Sequence, residues 1–467
     1  MIRRCTTRRL AVLGSMTLVA SLGFAGSSSA APSKANFKSF TGSCGKAVTD
    51  PKAQHPVFVL QNDIGPCNSD GLIFKASNVT LDLRGHKIKG MPLVKDSAGK
   101  ITGGFGEGVG LRLVGNSRVK VISTMPGATI QDFDAGMVIQ GGATQPATNN
   151  SVSGIRFTDN VGKQPRGSGT EEEISDFNDG LAIVNSQFNT IGPDNVFDLN
   201  GSGGIRIDDR ATNNTITGNI VDSNGGTGIR FLSNATNNLV TGNTSKNNSF
   251  SGVAVSFGSA DNTIEGNTID SNKSDGVSVS LLADRNVIRN NEIMNNLGNG
   301  LFLRSGQNTV SKNQVIGNGK GMTGTGKGNG IFLLSGTDNF PRAGTTVSEN
   351  TVQGNAGNGI RISCMIDEDP VTRAQSGCLN WDMHNQVLGN DATGNAVNGP
   401  PGTKVLGGAG DRFSRFEVVG WYDLLDSTNA DATQSPTDPS GVALVECSTN
   451  TWSRNTSNTA YPACAAG

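Results

Sequence analysis

The chain has 467 residues, 16% of them charged and 35% hydrophobic, and its 38 basic and 39 acidic residues give a net charge of -1. This charge balance argues against a nucleic-acid-binding protein, because such proteins usually carry an excess of basic residues. The 64 glycines, together with many Asn, Thr and Ser residues, favour turns and disfavour an α-helical fold.

The first 30 residues are predicted to be a secretory signal peptide. An apolar run covers residues 10–24, and small residues follow up to Ala30. The basic residues before that run are Arg3, Arg4, Arg8 and Arg9. We therefore expect a secreted, extracellular protein whose mature chain starts near Ala31. No segment of the chain has 18 consecutive apolar residues, so no membrane insertion is expected.

Six cysteines remain after the predicted signal peptide, which agrees with export to an oxidising compartment. Six cysteines allow 15 pairings, and proximity in the sequence favours three of them. The favoured pairs are Cys44–Cys67, Cys364–Cys378 and Cys447–Cys464. Two of these pairs would stabilise the ends of the fold, which we assign to an N-terminal cap at residues 31–70 and a C-terminal cap and loop at residues 399–467.

Between the predicted caps, residues recur with a period of 24. A glycine row consists of Gly180, Gly204, Gly228, Gly252, Gly276 and Gly300. Two asparagine rows share its period: Asn195, Asn219, Asn243, Asn267 and Asn291, and Asn200, Asn224, Asn248, Asn272 and Asn296. Such a period indicates a solenoid of stacked coils.

Within each repeat, apolar residues alternate with polar ones over short stretches, as in Ile205-Arg206-Ile207. This alternation predicts short strands separated by Asn and Gly turns. About three strands per repeat predict an all-β fold, a single-stranded parallel β-helix of about a dozen coils over residues 71–398, in which each strand pairs with the next coil. The asparagine rows would lie at the turns and bond from coil to coil.

Two segments resemble a known family. Residues 67–90, with Gly71-Leu-Ile-Phe and Asn78-Val-Thr-Leu-Asp-Leu, resemble the opening coil of secreted bacterial right-handed β-helix repeat proteins. Residues 447–464 are similar to the closing motif of such proteins. The family is the pectate-lyase-like superfamily of carbohydrate-binding and sugar-hydrolase type, so the resemblance implies a right-handed parallel β-helix and a polysaccharide partner. No catalytic motif of that superfamily transfers residue by residue.

Outward-facing positions after each glycine of the row are mostly small or apolar, so the charged ones stand out. Arg206, Asp208, Asp209 and Arg210 fall in one coil, with Arg230 in the next and Asp179 just before Gly180. We predict Arg206, Arg230, Asp208 and Asp209 as candidate catalytic residues. Candidate substrate-binding residues are Arg210, Arg304, Arg361 and Phe302.

This charged cluster is compatible with two reactions. In β-elimination of an acidic polysaccharide, Asp179, Asp208 and Asp209 would hold Ca²⁺, and Arg206 or Arg230 would act as the base. In hydrolysis, Asp179 would pair with Asp208 or Asp209 as acid and base or nucleophile. The alternative is a purely structural ion-pair ladder along the strands.

The sequence therefore predicts a secreted enzyme that degrades an acidic polysaccharide, with lyase slightly favoured over hydrolase. The competing hypothesis is a non-catalytic extracellular or cell-surface carbohydrate-binding protein, favoured by small outward residues such as Ala254 and Ser278. Calcium is the only cofactor that the sequence suggests. The sequence contains no motif that predicts the oligomeric state.

Overall fold

The computed structural model describes most of the chain after residue 36. The described residues are 37–49, 55–97, 101–162, 178–322, 328–335, 344–364, 367–368, 375–376, 384–397, 404–406, 418–420, 422, 424–426, 450–461 and 465. All of them belong to the compact unit Asn36–Gly467, and residues 1–35 are a separate unit. The predicted signal peptide thus lies outside the described residues. In the described part, no helix is long and apolar enough to cross a membrane.

Three long parallel sheets, of 14, 14 and 13 strands, form the fold. The first sheet contains Phe37–Phe40, Val57–Leu60, Thr80–Asp82, Lys120–Ile122, Ser151–Ser153, Thr190–Ile191, Thr215–Thr217, Leu239–Thr241, Thr263–Glu265, Val287–Arg289, Thr309–Ser311, Thr346–Ser348, Gln386–Leu388 and Thr451–Ser453. The second contains Lys46–Val48, Leu72–Phe74, Val109–Val114, Ala135–Gln140, Leu181–Val184, Ile205–Asp208, Ile229–Phe231, Val253–Val255, Val277–Val279, Leu301–Leu303, Ile331–Ser335, Ile360–Cys364, Leu424–Asp426 and Ala460–Tyr461. The third contains Ile64–Cys67, Lys87–Gly90, Thr129–Gln131, Arg156–Thr158, Val196–Asp198, Ile220–Asp222, Thr244–Lys246, Thr268–Asp270, Glu292–Met294, Gln314–Ile316, Thr351–Gln353, Asp391–Ala392 and Thr456–Ser457.

Each complete coil contributes one strand to each sheet, and strands pair with those of the adjacent coils, which confirms the predicted parallel β-helix. Three short antiparallel pairs lie outside the sheets: Val94–Lys95 with Ile101–Gly103, Asp367–Glu368 with Gln375–Ser376, and Lys404–Leu406 with Val418–Gly420. Strands from both predicted cap segments join the long sheets, from Phe37–Phe40 at one end to Ala460–Tyr461 at the other. The pairing extends there because a two- or three-residue strand is enough to continue a sheet, even where the 24-residue period is lost.

Rows of apolar residues, one residue per coil, form the core. Ile205, Ile229, Val253, Val277 and Leu301 are aligned coil over coil in the second sheet. They are fully or almost fully buried, as is the corresponding row of the first sheet, which consists of Ile216, Val240, Ile264 and Ile288. Burying such side chains in continuous stacks provides the main favourable free energy of the fold.

The glycine row is explained by the space around each Cα. A Cβ atom at Gly252 would lie 2.7 Å from the Asn272 side-chain nitrogen and 2.9 Å from the Gly276 carbonyl oxygen, and it would also meet the Ile269 side chain. Gly276 and Gly300 have equivalent surroundings. The repeat keeps glycine here because the backbone of the next coil approaches too closely for a side chain.

The predicted asparagine rows form buried hydrogen-bond ladders. Asn219 donates from both its backbone and side-chain nitrogens to Asn243 Oδ1, at 3.0 and 2.9 Å, and Asn243 repeats the pattern on Asn267. The row through Asn200 and Asn224 forms the same contacts. A third ladder was missed in the sequence although it has nearly the same period; it includes Asn189, Asn214, Asn238, Asn262 and Asn286.

The disulfide Cys44–Cys67 is present, as predicted. It joins a turn before the second sheet to the first strand of the third sheet, and thereby crosslinks the first coil. The other two predicted pairs include cysteines outside the described residues.

Candidate functional site

The outer face of the second sheet contains most of the residues predicted to be functional. Its central column, one residue per coil, runs in register through Ala182, Arg206, Arg230, Ala254, Ser278, Phe302, Phe332 and Arg361. These side chains are directed away from the core, yet all are buried except Ser278, Phe302 and Phe332, which are partly exposed. The column therefore offers access to a ligand mainly between Ser278 and Phe332.

Asp179, Arg206 and Arg230 are brought together, as the sequence predicted. Arg230 Nη2 donates to both carboxylate oxygens of Asp179, at 3.0 and 3.1 Å, and Arg206 Nε lies 3.5 Å from Asp179 Oδ2. The Asp179 side chain is 0% exposed, and the two arginine side chains are 4% and 5% exposed. Arg206 Nε also lies 3.6 Å from Asp208 Oδ2. Two guanidinium groups thus face two carboxylates in a cluster with no net charge.

This arrangement limits the chemistry of the cluster. A catalytic base must accept a proton from the substrate, and an arginine guanidinium group is effectively always protonated. Both arginines here also contact the buried carboxylate of Asp179. The cluster is therefore better suited to holding adjacent coils together than to removing a proton.

A comparable contact recurs elsewhere in the fold. Asp70 precedes Gly71 as Asp179 precedes Gly180, and it accepts hydrogen bonds from Arg112 Nε and Nη2 at 2.6 and 2.9 Å. In each case, the aspartate also accepts a hydrogen bond from a backbone amide of the next coil. The donor is Val109 for Asp70 and Gly203 for Asp179, and each donor directly precedes a glycine. Asp275 does the same with the amide of Asn299 at 2.7 Å. An aspartate before the glycine is therefore a recurring coil-to-coil connection.

The Asp70–Arg112 contact predicts a pH dependence. Burial favours the neutral carboxyl of Asp70, but the hydrogen bonds from Arg112 and from the Val109 amide outweigh it and lower its pKa. A carboxyl with a lowered pKa in the folded state stabilises the fold above its unfolded pKa, and that stabilisation is lost as the pH falls through the folded value.

We therefore expect Asp70→Asn to lower the stability of the first coils by about 1–3 kcal/mol at pH 7 and to reduce the loss of stability below about pH 4. Hydrogen exchange of the Val109–Val114 amides between pH 3 and 7 measures both effects. Asp209→Asn, at an exposed carboxyl, is the control. An unchanged exchange profile in Asp70→Asn would contradict the assignment.

The three aspartates predicted to bind calcium differ in exposure: the Asp179 side chain is 0% exposed, that of Asp208 16% and that of Asp209 46%. Asp179 is enclosed by arginines, and Asp208 Oδ1 accepts the backbone amide of Asp209 at 2.7 Å. Among the described residues, no group of three or more His, Cys, Asp or Glu side chains could hold a metal ion.

Asp209 and Arg210 lie on the turn that follows the strand Ile205–Asp208. Both have positive φ angles, 44° and 59°, and Arg210 Nη2 lies 3.1 Å from Asp209 Oδ1. Their side chains are 46% and 70% exposed. The structure thus separates the predicted charged cluster into a buried part and an accessible part.

The remaining predicted substrate-binding residues form one row further along the sheet. The rings of Phe302 and Phe332 stack with centroids 5.3 Å apart, and the Arg361 guanidinium lies over the Phe332 ring at 4.8 Å. Arg304, partly exposed, is the residue directly after the strand Leu301–Leu303. Phe332 was missed as a candidate, although it occupies the column position between Phe302 and Arg361.

Comparison with known proteins gives a family match. A family model described as a right-handed beta helix region matches residues 70–269 and 231–365. No curated protein matches the chain.

Several solved structures are similar to this chain. The periplasmic alginate epimerase AlgG has 13% identity and a TM-score of 0.43, with 73% of this chain and 68% of the epimerase covered. The A-module of a mannuronan C-5 epimerase from Azotobacter vinelandii has 16% identity and a TM-score of 0.47, with 73% and 85% covered. An alginate lyase from Paenibacillus sp. has 13% identity and a TM-score of 0.43, with 59% and 88% covered.

Proposed function

The chain belongs to the right-handed β-helix family, and from that premise we propose that it binds an acidic polysaccharide along the outer face of the second sheet, between Arg230 and Arg361. The proposal rests on the stacked pair Phe302–Phe332. Aromatic rings left partly exposed on the outside of a solenoid are not needed for its core. They provide flat apolar surfaces that suit the C–H face of a sugar ring.

The column leaves room for a sugar beside Phe302. One face of the Phe302 ring packs on Phe332, so the opposite face is directed towards the coil of Ser278. The next two column residues are small, Ser278 and Ala254, before Arg230 closes the row. Three coil steps of about 4.8 Å separate Arg230 from Phe302, which gives a notch roughly 14 Å long. Arg230 and Ala254 are buried, so the accessible part of this notch is the part beside Ser278.

Positive charge near this notch supports an acidic ligand. Arg304 follows Phe302 by two residues and is partly exposed, and the Arg361 guanidinium, on the far side of the aromatic pair, is buried over the Phe332 ring. Arginine binds carboxylates through two parallel hydrogen bonds, which makes it suited to uronic acids.

Replacing Phe302 with alanine tests the proposal. We expect Phe302→Ala to weaken binding of the protein to an acidic polysaccharide such as polygalacturonate or alginate at least tenfold, because the sugar loses its stacking surface. Affinity electrophoresis over a panel of acidic and neutral polysaccharides provides the measurement. The matched control is Phe188→Ala, which removes a phenylalanine that is 51% exposed and lies on a turn away from the notch.

If Phe302→Ala and Phe188→Ala bind the polymer equally well, the notch is not the binding site. If no polymer on the panel binds the unchanged protein, the proposed function fails as a whole.

Degradation of the bound polymer is the second candidate function, and the observation that favours it is the partly exposed carboxyl of Asp208 beside Arg206. The burial of Asp179 between arginines weakens hydrolysis, which needs two carboxyls, and elimination would need a base other than the buried Arg206 and Arg230. The same polysaccharide panel, with calcium or chelator, separates the reactions. Unsaturated products that absorb light would support a lyase, new reducing ends without that absorbance a hydrolase, and neither signal a binding protein.

A further inference from the structure

A polar pocket of about 310 Å³ lies at the corner where the chain leaves the second sheet and turns towards the first. Three successive coils contribute to it, through residues 142–146, 185–187 and 210–212. Its nearest coil, that of Arg206 and Arg210, is four coils away from Phe302. Its volume is at the lower end of the range for small-molecule sites.

The pocket is lined by groups that form hydrogen bonds. Its polar side chains include Thr144, Gln145, Asn185, Gln187, Arg210 and Thr212. Amides and hydroxyls both donate and accept hydrogen bonds, as the hydroxyl groups of sugars do. The lining contains no aromatic and no large aliphatic residue. This chemistry suits a hydrated, polar ligand better than an apolar one.

The backbone holds these side chains in place. Gln187 pairs with Thr148 on one neighbouring coil and with Thr212 on the other. Gln145 Nε2 donates to the Gly115 carbonyl at 2.9 Å, and the Gly142 amide donates to the Gln145 carbonyl at 2.7 Å. A pocket whose walls are already ordered requires little ordering when a ligand binds.

The charge of the pocket comes from Arg210. The next turns stack on its turn through backbone hydrogen bonds, and the equivalent positions there are Asn234, Gly258 and Leu282. Of these four equivalent turn positions, only the one at the pocket holds a cationic residue, Arg210. Arg210 pairs with Asp209, and both side chains are well exposed. Such an exposed pair is weak, so the carboxylate of a ligand can compete with Asp209 for the guanidinium group.

We propose that this pocket binds one carboxylate-bearing sugar, a uronic acid, with Arg210 on the carboxylate and the amide and hydroxyl side chains on the sugar hydroxyls. The proposal rests on the proposed function and adds a second, carboxylate-selective contact for the same class of polymer. It concerns binding alone and involves no covalent step.

Calorimetry of the full chain with trigalacturonic acid and trimannuronic acid, each compared with its methyl ester, tests the pocket. We expect at least one acid to bind at least tenfold more tightly than its ester. In the Phe302→Ala background, which removes the stacking surface of the notch, Arg210→Gln should abolish that difference, and Asp209→Asn should tighten binding of the acid, because it removes the competing carboxylate. Arg285→Gln is the matched control, since Arg285 is also exposed and paired with an aspartate, Asp261, but does not line the pocket.

Equal binding of acid and ester, no binding of either acid, or an acid–ester difference that survives Arg210→Gln would overturn the inference. These results are distinguishable from failure of the proposed function, because the polymer would then still bind and would still depend on Phe302. Loss of the difference in Arg285→Gln as well would show a general charge effect, and that result also counts against the pocket.

Discussion

Replacing Asp179 with alanine should destabilise the coils around it by about 3–5 kcal/mol, because the change leaves two buried guanidinium groups without their shared carboxylate. Arg206 and Arg230 are both almost fully buried against Asp179, and the Gly203 amide would also lose its acceptor. Hydrogen exchange of the amides from Gly203 to Phe231 measures the loss locally, which suits a solenoid whose coils need not unfold together.

Two further variants make this result specific. Asp209→Asn removes the charge of a neighbouring but exposed carboxylate and tolerates the φ of 44° at this position, and we expect a change within about 0.5 kcal/mol. The triple variant Asp179→Leu, Arg206→Met and Arg230→Met removes the whole cluster and should recover most of the lost stability. If Asp179→Ala left the exchange rates unchanged and abolished turnover of a polysaccharide, the cluster would be catalytic and the structural interpretation would be wrong.

Replacing Asn243 with alanine should lower stability by at least about 3 kcal/mol, since it leaves several buried polar groups without partners at about 1–3 kcal/mol each. Asn243 Oδ1 accepts from two nitrogens of Asn219, and its Nδ2 donates to the carbonyl of Ile216 and to Asn267 Oδ1. Thermal unfolding and hydrogen exchange of the neighbouring turns give the measurement.

The control for Asn243 is Asn237→Gly. Asn237 lies on an exposed turn with a φ of 56°, and glycine tolerates that conformation without strain. We expect a small change there. A second variant, Asn243→Asp, keeps the shape but cannot donate, so it should be at least as harmful as alanine. Equal stability of all three variants would mean that the ladder contributes little.

Function was harder to predict than fold, and the charged cluster shows why. The sequence correctly placed Asp179, Arg206 and Arg230 on adjacent coils, because the 24-residue period fixes which residues become neighbours. It did not reveal that the arginines are buried and paired with one carboxylate, or that Asp70 and Arg112 form a comparable contact. Burial depends on all the groups that surround a side chain. The 24-residue period predicts only which residues lie above and below one another in adjacent coils.

The sequence by itself determined how the chain divides into coils, which residues stack on one another in adjacent coils, and which residues form the core. A residue in a parallel β-helix stacks on its own counterpart, so rows of Ile, Val, Gly and Asn at one period allow essentially one arrangement. The tertiary structure alone decided which outward residues remain accessible, through the stacking of Phe302 on Phe332 and the enclosure of Asp179. It also formed the pocket at Arg210 from loops of three coils. These loops differ in length and composition, and their side chains meet only once the coils are stacked.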